Sequence, residues 1–268
     1  MIRTGYELQF EPICPGVPGL GTAALVPWDT EIFGFRVAVY KPGPACADAD
    51  MARFGTGFAS WTEAHGISLC SCAVSAADSF WRRWLPESGF CLVDCALQVS
   101  LGPLSRAKLP AARLSVRPVM PEDHRAIEAI AGQSFAHGRY HADPFFPDEL
   151  ANRRYLRWVQ NALSGEKPED RVFVLGKPGE VLGFYHVTIE GEMSDLRLAA
   201  VAPHLKQTGA GVDLYAAVLH ELRNLGIRRA VSTISAANSG VLNVYSLLGF
   251  RFSKPEIIYH WHAPGTSR

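Results

Sequence analysis

The sequence predicts an α/β fold with α+β character, in which helices cover both faces of a mixed, twisted β-sheet. Three observations lead to this prediction. Apolar strands alternate with amphipathic helices, the order of elements repeats once within the chain, and a glycine-rich loop joins one strand to the helix after it. With 268 residues, 48% of them hydrophobic and 19% charged, the chain is long enough for one large or two small domains with proper cores.

The repeat is visible when the sequence is aligned with itself at an offset of 160 positions, without gaps. The matching positions are Gly66-Ile67 with Gly226-Ile227, Ser75-Ala76-Ala77 with Ser235-Ala236-Ala237, Ser79 with Ser239, and Gly89-Phe90 with Gly249-Phe250. Each copy predicts a strand (68–75, 228–235), a short helix (78–88, 238–248) and a second strand that Gly-Phe opens (90–101, 250–262). We therefore predict a duplicated α/β unit.

A segment without clear periodicity, residues 102–113, contains prolines and small residues and is predicted to be a linker between the copies. This places an N-terminal domain at 1–101 and a second domain at 114–268. Before its copy of the repeat, the second domain is predicted to contain strand 114–119, helices 122–134 and 147–164, and strands 171–176, 181–190 and 195–202.

The charge balance argues against several classes of partner. Lys plus Arg and Asp plus Glu number 26 each, so no net field attracts nucleic acid or an anionic membrane. No stretch has the length and apolarity of a signal peptide or a membrane span, so we expect a cytoplasmic protein. The oligomeric state is open, and a homodimer is one expectation.

The cysteines form no pattern with histidine that resembles a zinc site, so we predict no metal. We expect small, buried, reduced thiols, because free cysteine is among the most buried residue types. The six cysteines, all in the first 95 residues, are Cys14, Cys46, Cys70, Cys72, Cys91 and Cys95.

The glycine-rich loop is predicted to hold a phosphate. Gly209 and Gly211 lack a Cβ, so the backbone there is able to adopt positive φ and approach a bulky anion. An amphipathic helix follows, whose orphan N–H groups and macrodipole favour a pyrophosphate. An ordinary glycine-rich turn is the alternative. The absence of a Lys-Ser/Thr pair and of a third glycine at dinucleotide-fold spacing disfavours nucleoside triphosphates and NAD.

The loop, with three features downstream, resembles the GCN5-related N-acetyltransferase (GNAT) superfamily. The matching residues are Gln207-Thr208-Gly209-Ala210-Gly211-Val212, Asn238, Tyr245 and Leu248-Gly249-Phe250, although the glycines lie one place nearer the glutamine than usual. The resemblance implies a GNAT fold, preceded by a partial, degenerate GNAT-like N-terminal domain. It also implies an enzyme that moves an acetyl or short acyl group from acyl-CoA to a primary amine by direct attack in a ternary complex.

Three further segments, 28–35, 135–144 and 158–162, are similar to the dTDP-fucosamine acetyltransferases within this superfamily. This resemblance implies a nucleotide-linked amino sugar as the acceptor. The chain is longer at its N-terminus and in the linker, so the sugar is open. A GNAT enzyme for a non-sugar amine, such as a peptide or an antibiotic, and a non-catalytic CoA-binding module are the alternatives. A polyamine is disfavoured because the composition is not acidic.

The resemblance also assigns positions for the cofactor. Pantetheine is expected along a strand edge where neighbouring strands splay, with strand N–H groups holding the oxyanion. A fully paired central strand is the alternative. Asn238 is expected at a helix N-cap. Its side chain is expected there either to accept hydrogen bonds from the first backbone amides of the helix or to contact the cofactor, and the first role is at least as well supported. The cofactor-binding residues are Leu198, Ala199, Ala200, Val201, Gln207, Thr208, Gly209, Ala210, Gly211, Val212 and Asn238.

Tyr245 is the predicted catalytic residue, because a phenol with a pKa of about 10 is able to protonate the departing CoA thiolate. A packed aromatic ring is the alternative. In the first copy, Leu85 stands opposite Tyr245 and Ala49-Asp50-Met51 opposite the glycines. Acidic charge and the missing glycines predict that this copy does not bind CoA. Pro86 is predicted to interrupt its helix.

The acceptor site is less well defined by the sequence. Histidines titrate near neutral pH and are therefore candidate bases, and an arginine is suited to phosphate contacts. The alternatives are structural roles for the histidines and a solvated surface loop for the arginine and its neighbours. The candidate substrate-binding residues are Asp29, Glu31, His137, Arg139, Tyr140, His141 and His186.

Overall fold

The computed structural model describes residues 8–14, 16–44 and 48–265, so Cys46 lies outside the described residues. The chain divides into two compact units. Unit 1 combines Met1–Ala96, Gly138–Ala151 and Lys254–Arg268, and unit 2 combines Leu97–His137 and Asn152–Ser253. The units therefore differ from the continuous domains predicted at 1–101 and 114–268, because two segments from the second half of the sequence belong to unit 1.

The elements follow one another in an alternating order. The strands are β1 (Glu11–Pro12), β2 (Thr22–Leu25), β3 (Val37–Lys41), β4 (Leu69–Ser75), β5 (Cys91–Leu101), β6 (Val116–Pro118), β7 (Asp170–Leu175), β8 (Gly183–Glu190), β9 (Met193–Val201), β10 (Arg229–Ser235), β11 (Arg251–Phe252) and β12 (Glu256–His262). The α-helices are α1 (Pro27–Phe33), α2 (Met51–Ala64), α3 (Ser79–Glu87), α4 (His124–Ala131), α5 (Asp148–Leu163), α6 (Ala210–Asn224) and α7 (Ser239–Leu247). Short 3-10 helices lie at Pro18–Leu20, Asp48–Asp50, Leu104–Arg106, Pro121–Asp123 and Pro203–Leu205.

Each unit contains a mixed set of strands. In unit 1 the order is β1-β2-β3-β4-β12-β5, with β3 and β4 parallel and β12 antiparallel to both β4 and β5. In unit 2 the order is β5-β10-β9-β8-β7-β6, with β9 and β10 parallel and β11 paired with β5. The first part of β5 belongs to unit 1 and residues 97–101 belong to unit 2. These arrangements confirm the predicted fold class.

Two details of the predicted elements are wrong. The strand predicted at 250–262 is interrupted, because Lys254 and Pro255 separate β11 from β12 and proline has no N–H for a β-ladder. Pro86 does not interrupt its helix: α3 continues to Glu87 and contains nine residues, as α7 does. Pro86 lies at the C-terminal end of α3, where few turns remain for it to disturb.

The two faces of the unit 2 strands carry separate apolar clusters. One contains Leu214 and Val218 of α6 with Tyr185 and Leu196 from the strands. The other contains Ile127 of α4 and Val159 of α5, together with residues of the opposite strand face. Helices therefore cover both faces, as the alternating pattern predicts. Within the described residues, none of the helices combines the length and apolarity needed to cross a lipid bilayer.

Candidate active site

The predicted phosphate loop leads directly into α6. Gly209 occupies the N-cap position with φ of 90°, and Ala210 begins the helix. Gln207 also has a positive φ, 67°, which is uncommon for a residue with a side chain. Gly211 does not need this conformation, because it lies in the first helical turn and has open space where a Cβ would be. The backbone thus presents the first amides of α6, which lack intrahelical acceptors, on an open side.

Arg113 lies beside this loop, although the sequence placed it at the end of the linker. Its Nη2 donates to Asp213 Oδ2 at 2.6 Å, and its Nε donates to the same oxygen at 3.0 Å. Its backbone N–H donates to Asp213 Oδ1 at 3.0 Å. Asp213 is buried in the first turn of α6, and Arg113 holds its pKa below the usual range. The guanidinium is therefore fixed at the start of α6.

The backbone conformation explains why residue 209 is a glycine, because a φ of 90° is strained for any residue with a side chain. A Cβ there would also lie 3.0 Å from Arg113 Nη2, so the guanidinium would have to shift slightly. The Arg113 side chain nevertheless remains 69% exposed, so part of the guanidinium faces solvent at the loop. Nothing in the sequence pattern indicated this contact, because Arg113 and Asp213 are 100 residues apart.

The parallel strands β9 and β10 pair only at their beginnings. The register runs from Arg229 opposite Met193 to Val231 opposite Asp195 and then ends. Beyond this point Ser232 Oγ donates to the Leu196 carbonyl at 2.7 Å. On its other edge, β9 remains paired with β8 as far as Val201. The edge of residues 198–201 that faces β10 therefore has no ladder within the described part of the chain, unlike the fully paired alternative.

Tyr245 lies on α7 and is 1% exposed. Its ring packs edge-on to Tyr215, with centroids 5.4 Å apart, and lies 4.6 Å from the ring of Phe250. Burial raises the pKa of its hydroxyl, and hydrogen bonds with Ser232 and two tyrosines act in the opposite direction. The phenol is therefore protonated at neutral pH. Because Ser232 also binds the Leu196 carbonyl, Tyr245 is linked to the point where β9 and β10 separate.

A polar network lies along β7, β8 and β9 near the same point. His186 is buried, and its Nε2 lies 3.1 Å from Asp170 Oδ1. Thr188 Oγ1 donates to the same Asp170 oxygen at 2.6 Å and accepts from Arg197 Nε at 3.2 Å. This network therefore places a histidine beside a carboxylate in unit 2, and such a pair is a candidate for accepting a proton.

Asp195 extends the network to the last paired position of β9 and β10, where it stands opposite Val231. Arg197 Nη1 lies 3.3 Å from Asp195 Oδ2. Burial raises the pKa of Asp195, while Arg197 and His186 act in the opposite direction. No sequence motif singles out Asp195. The sequence shows only a carboxylate on the strand before the glycine-rich loop. The structure shows that this carboxylate lies where β9 and β10 separate.

The remaining candidate residues have different environments. In unit 1, Asp29 Oδ2 accepts from the Tyr140 hydroxyl at 2.9 Å, and both side chains are buried. Arg139 lies over the Tyr140 ring at 4.9 Å. Glu31 is exposed, and His137, also exposed, belongs to unit 2. Asp29 and Tyr140, which are 111 residues apart, are therefore brought together, whereas Glu31 and His137 do not share this contact.

His141 and Asn238 complete the set. His141 donates its backbone N–H to the Gly138 carbonyl at 2.9 Å, within the turn that contains Tyr140. Asn238 caps α7, because its Oδ1 accepts from the Val241 N–H at 3.2 Å.

Of the cysteines within the described residues, Cys70 and Cys72 are buried, whereas Cys14, Cys91 and Cys95 are half-buried free thiols. The expectation of uniformly buried thiols is therefore wrong.

Comparison with known proteins identifies a family. A sequence model described as the Acetyltransferase (GNAT) family matches residues 117–250, half of the chain. The spore coat polysaccharide biosynthesis protein SpsD of Bacillus subtilis (strain 168) is 26% identical over 175 residues, which cover 65% of this chain and 59% of that protein. The mycothiol acetyltransferase of Streptomyces coelicolor (strain ATCC BAA-471 / A3(2) / M145) is 24% identical over 214 residues, which cover 74% of this chain and 66% of that protein. The chain therefore spans less than two thirds of the length of SpsD and about two thirds of the second relative.

A solved structure supports the duplicated architecture. A tandem GNAT protein from the clavulanic acid biosynthesis pathway superposes with a TM-score of 0.56 and 15% identity, covering 92% of this chain and 80% of that one. At this identity the likeness shows the fold alone.

Proposed function

The chain belongs to the Acetyltransferase (GNAT) family, and on that premise we propose that it transfers an acetyl or short acyl group from acyl-CoA to the primary amine of a nucleotide-linked amino sugar. The observation that carries this proposal is the open edge of β9. The ladder to β10 ends at Asp195, directly before the residues expected to hold pantetheine. The phosphate loop, Tyr245 and Asp195 all lie within unit 2 with this edge.

The pyrophosphate of CoA binds at the N-terminus of α6 in this proposal. The first amides of the helix and its macrodipole favour an anion there. Arg113 forms an ion pair with Asp213 beside Gly209, and the exposed part of its guanidinium offers N–H donors to a phosphate there. A guanidinium forms strong hydrogen bonds with phosphate oxygens, so Arg113 contributes to affinity for the phosphate part of the cofactor.

Acyl transfer then proceeds at the separation of β9 and β10. N–H groups of residues 199–201 on the edge that lacks the β10 ladder hold the oxyanion of the tetrahedral intermediate. Tyr245 donates its proton to the thiolate as the C–S bond breaks, and the network through Ser232 keeps the hydroxyl oriented. The phenol is protonated at neutral pH, so it carries the proton that this step requires.

The attacking amine loses a proton to a base, for which Asp195 is the proposed residue. A half-buried carboxylate with a raised pKa is a stronger base than one with an ordinary pKa, and Asp195 lies at the last paired position of the two strands. His186 and Asp170 lie behind it and are proposed to pass the proton onward. This proposal gives His186 a role in unit 2, separate from the cluster of Asp29 and Tyr140.

The amino-sugar acceptor is supported by two observations of different kinds. The matched relative SpsD is named for polysaccharide biosynthesis. Segments 28–35 and 135–144, on which the similarity to amino-sugar acetyltransferases rests, contribute Asp29 and Tyr140 to one buried contact. The matched mycothiol acetyltransferase makes a small-molecule amine other than a nucleotide sugar the second candidate.

The proposal is tested by binding first and turnover second. Acetyl-CoA at 100 times its dissociation constant is expected to stabilise the protein by about 2.7 kcal/mol in a thermal-shift assay. Thiol release is then measured over dTDP- and UDP-linked amino sugars, with the corresponding sugars that carry a hydroxyl in place of the amino group as matched controls. Absence of stabilisation by any acyl-CoA contradicts the whole proposal. Stabilisation with turnover on non-sugar amines alone contradicts only the acceptor, and stabilisation without turnover on any amine favours a CoA-binding module.

A further inference from the structure

Unit 1 contains a group of side chains that acyl transfer does not use. Cys91, Asp143 and His262 come from β5, from segment Gly138–Ala151 and from β12, and one donor atom of each lies within 4.8 Å of the other two. Their chemical types are a thiol, a carboxylate and an imidazole. No pattern in the sequence revealed the group, because His262 follows Asp143 by 119 residues.

Backbone pairing fixes the relative positions of two of these residues. Antiparallel pairing of β12 with β5 places His260 opposite Cys91, and Cys91 Sγ donates to the His260 carbonyl at 3.3 Å. His262 follows two residues later on β12, so it projects from the same face as His260. The strand geometry therefore holds the thiol near the imidazole.

Asp143 is held independently of His262. Its Oδ2 lies 2.7 Å from His260 Nδ1 and 2.8 Å from His262 Nε2, and its Oδ1 accepts from the Phe145 N–H at 2.9 Å. If His262 turned toward a cation, His260 and the Phe145 amide would still orient the carboxylate. A carboxylate ligand is commonly held in this way by surrounding hydrogen bonds.

The burial of the group leaves polar atoms unexplained. The side chains of His260 and Asp143 are fully buried and that of His262 is 13% exposed. Within the described residues, His260 Nε2 and His262 Nδ1 are buried without a hydrogen-bond partner. When each histidine ring donates one N–H to Asp143, the second nitrogen of that ring has no hydrogen and carries a lone pair. Because His262 Nε2 lies beside Asp143, it is the nitrogen placed to share a cation with that carboxylate, and Nδ1 lies on the other side of the ring.

We propose that Cys91, Asp143 and His262 bind one divalent cation of the zinc class, with His260 as a positioning residue for Asp143. A mixed set of sulfur, nitrogen and oxygen donors suits Zn²⁺, whereas Ca²⁺ and Mg²⁺ prefer oxygen alone. On binding, the Cys91 thiol releases its proton to solvent and its sulfur bonds the metal. The His262 ring moves its proton from Nε2 to Nδ1, and the Nε2 lone pair bonds the metal in place of the contact with Asp143. A water completes the tetrahedron. The cation joins β5, β12 and segment Gly138–Ala151, and its role is stabilisation of unit 1.

The test uses the full chain, stripped with a chelator and titrated with Co²⁺, whose thiolate complexes have a charge-transfer absorption band. We expect one Co²⁺ per chain with that band, displacement by Zn²⁺, and a higher Tm with Zn²⁺ than without it. Cys91→Ser is expected to abolish the band, and Cys95→Ser, on the same strand and also half-buried, is the matched control that keeps it. His260→Gln is expected to weaken Zn²⁺ about 10- to 100-fold while the band remains.

The outcomes separate the site from a simple hydrogen-bonded cluster. A band that persists in Cys91→Ser, or loss of the band in Cys95→Ser, contradicts the assigned ligands. Absence of 1:1 binding in the natural sequence overturns the proposal and leaves Asp143 as a hydrogen-bond partner of the two histidines. Near-UV circular dichroism of each variant verifies that a lost band does not reflect unfolding. None of these readouts depends on acetyl transfer, so their failure is distinguishable from failure of the proposed function.

Discussion

The two copies of the repeat differ most where their parallel strands meet. In the first copy, β3 pairs with β4 from Val37 to Tyr40, which is one residue before β3 ends. In the second copy, the ladder between β9 and β10 ends at Asp195, and six residues of β9 follow it. The first ladder therefore reaches nearly to the end of β3, whereas the second leaves most of β9 without a partner on that edge. The same element order therefore produces a site only where the ladder stops early.

The side chains around the two strand pairs also differ, and this difference again favours a cofactor site in the second copy. The first copy fills its core with aromatic rings, including Tyr40, Phe54 and Trp81, and the Trp81 indole donates to the Gly43 carbonyl at 3.0 Å. Asp48 and Asp50 precede its helix α2, whereas Gly209 and Arg113 lie at the start of α6. Strand pairing, packing and charge together argue that the first copy lacks a cofactor site.

The largest effect is expected from Tyr245→Phe, which removes the proposed proton donor of the second copy. We expect kcat to fall about 100- to 1,000-fold, within the range for loss of a general acid, while acetyl-CoA binding by calorimetry is unchanged. The matched control is Tyr40→Phe in the first copy, where the hydroxyl donates to the Leu20 carbonyl. Tyr40→Phe is expected to lower Tm and leave kcat unchanged. Equal kcat values for the two variants would refute the assignment of Tyr245.

The next effect concerns Asp195, at the point where the ladder between β9 and β10 ends. Burial raises its pKa, and a base must be ionised, so kcat/KM is expected to rise with pH through this raised value. Asp195→Asn should lower kcat/KM about 100-fold, the lower end of the range for general bases, and remove the acidic limb. Glu192→Gln, an exposed carboxylate between β8 and β9, is the control. If the acidic limb survives in Asp195→Asn, the His186–Asp170 pair is the better candidate.

Arg113→Ala tests whether charge at the loop distinguishes the copies. We expect KM for acetyl-CoA to rise about tenfold, since arginine makes charge-assisted bonds to phosphate, and KM for acetyl-pantetheine to stay constant. The effect should shrink at high salt because the guanidinium is exposed. Arg228→Ala is the control, with an equally exposed side chain on the same unit. A similar rise in KM for both thioesters would mean that Arg113 acts on structure alone.

The two glycines of the loop give a smaller and opposite pair of effects. Gly209→Ala is expected to destabilise the protein by about 1–2 kcal/mol, because its φ is 90° and Arg113 crowds the new methyl group. Gly211→Ala is expected to stabilise it by about 0.5–1 kcal/mol, because this position is helical and open. Denaturant unfolding measures both. A destabilised Gly211→Ala variant would show that the first turn of α6 does not tolerate a side chain.

The smallest effect is the pH dependence of the Arg113–Asp213 contact. Arg113 lowers the pKa of Asp213 below its ordinary value, so the contact stabilises the folded protein at neutral pH and this contribution is lost as pH falls through the lowered pKa. The Tm difference between the natural sequence and Arg113→Ala should therefore be largest near pH 7 and vanish in strong acid. A constant difference across this range would contradict the ion-pair explanation.

Local patterns were sufficient for much of this protein. From residue 68 onward, strand and helix periodicity predicted most elements to within a few residues, and the matched offset of 160 positions predicted that α3 and α7 have equivalent places. The caps Asp78 and Asn238 are equivalent too, since each accepts a backbone N–H at the start of its helix. These features depend on neighbours in the chain, which a sequence displays directly.

Non-local contacts were not predictable in the same way. A proline between β11 and β12 was visible, but the sequence could not show that the strand after it belongs to unit 1. Arg113 was assigned to a linker because its partner Asp213 is 100 residues away. In the sequence, Asp195 is one of several polar residues in a strand. The structure shows that it lies at the end of the ladder between β9 and β10.

Residue types at short, fixed spacing were enough to predict the duplicated architecture, the GNAT resemblance, the glycine-rich loop and Tyr245 as a candidate. The folded chain was needed to find which strand edge lacks a partner, which charges lie at the loop, and that Cys91, Asp143 and His262 meet. The physical reason is that strand register and side-chain proximity are set by the packing of the whole chain, and a single sequence does not list those distances.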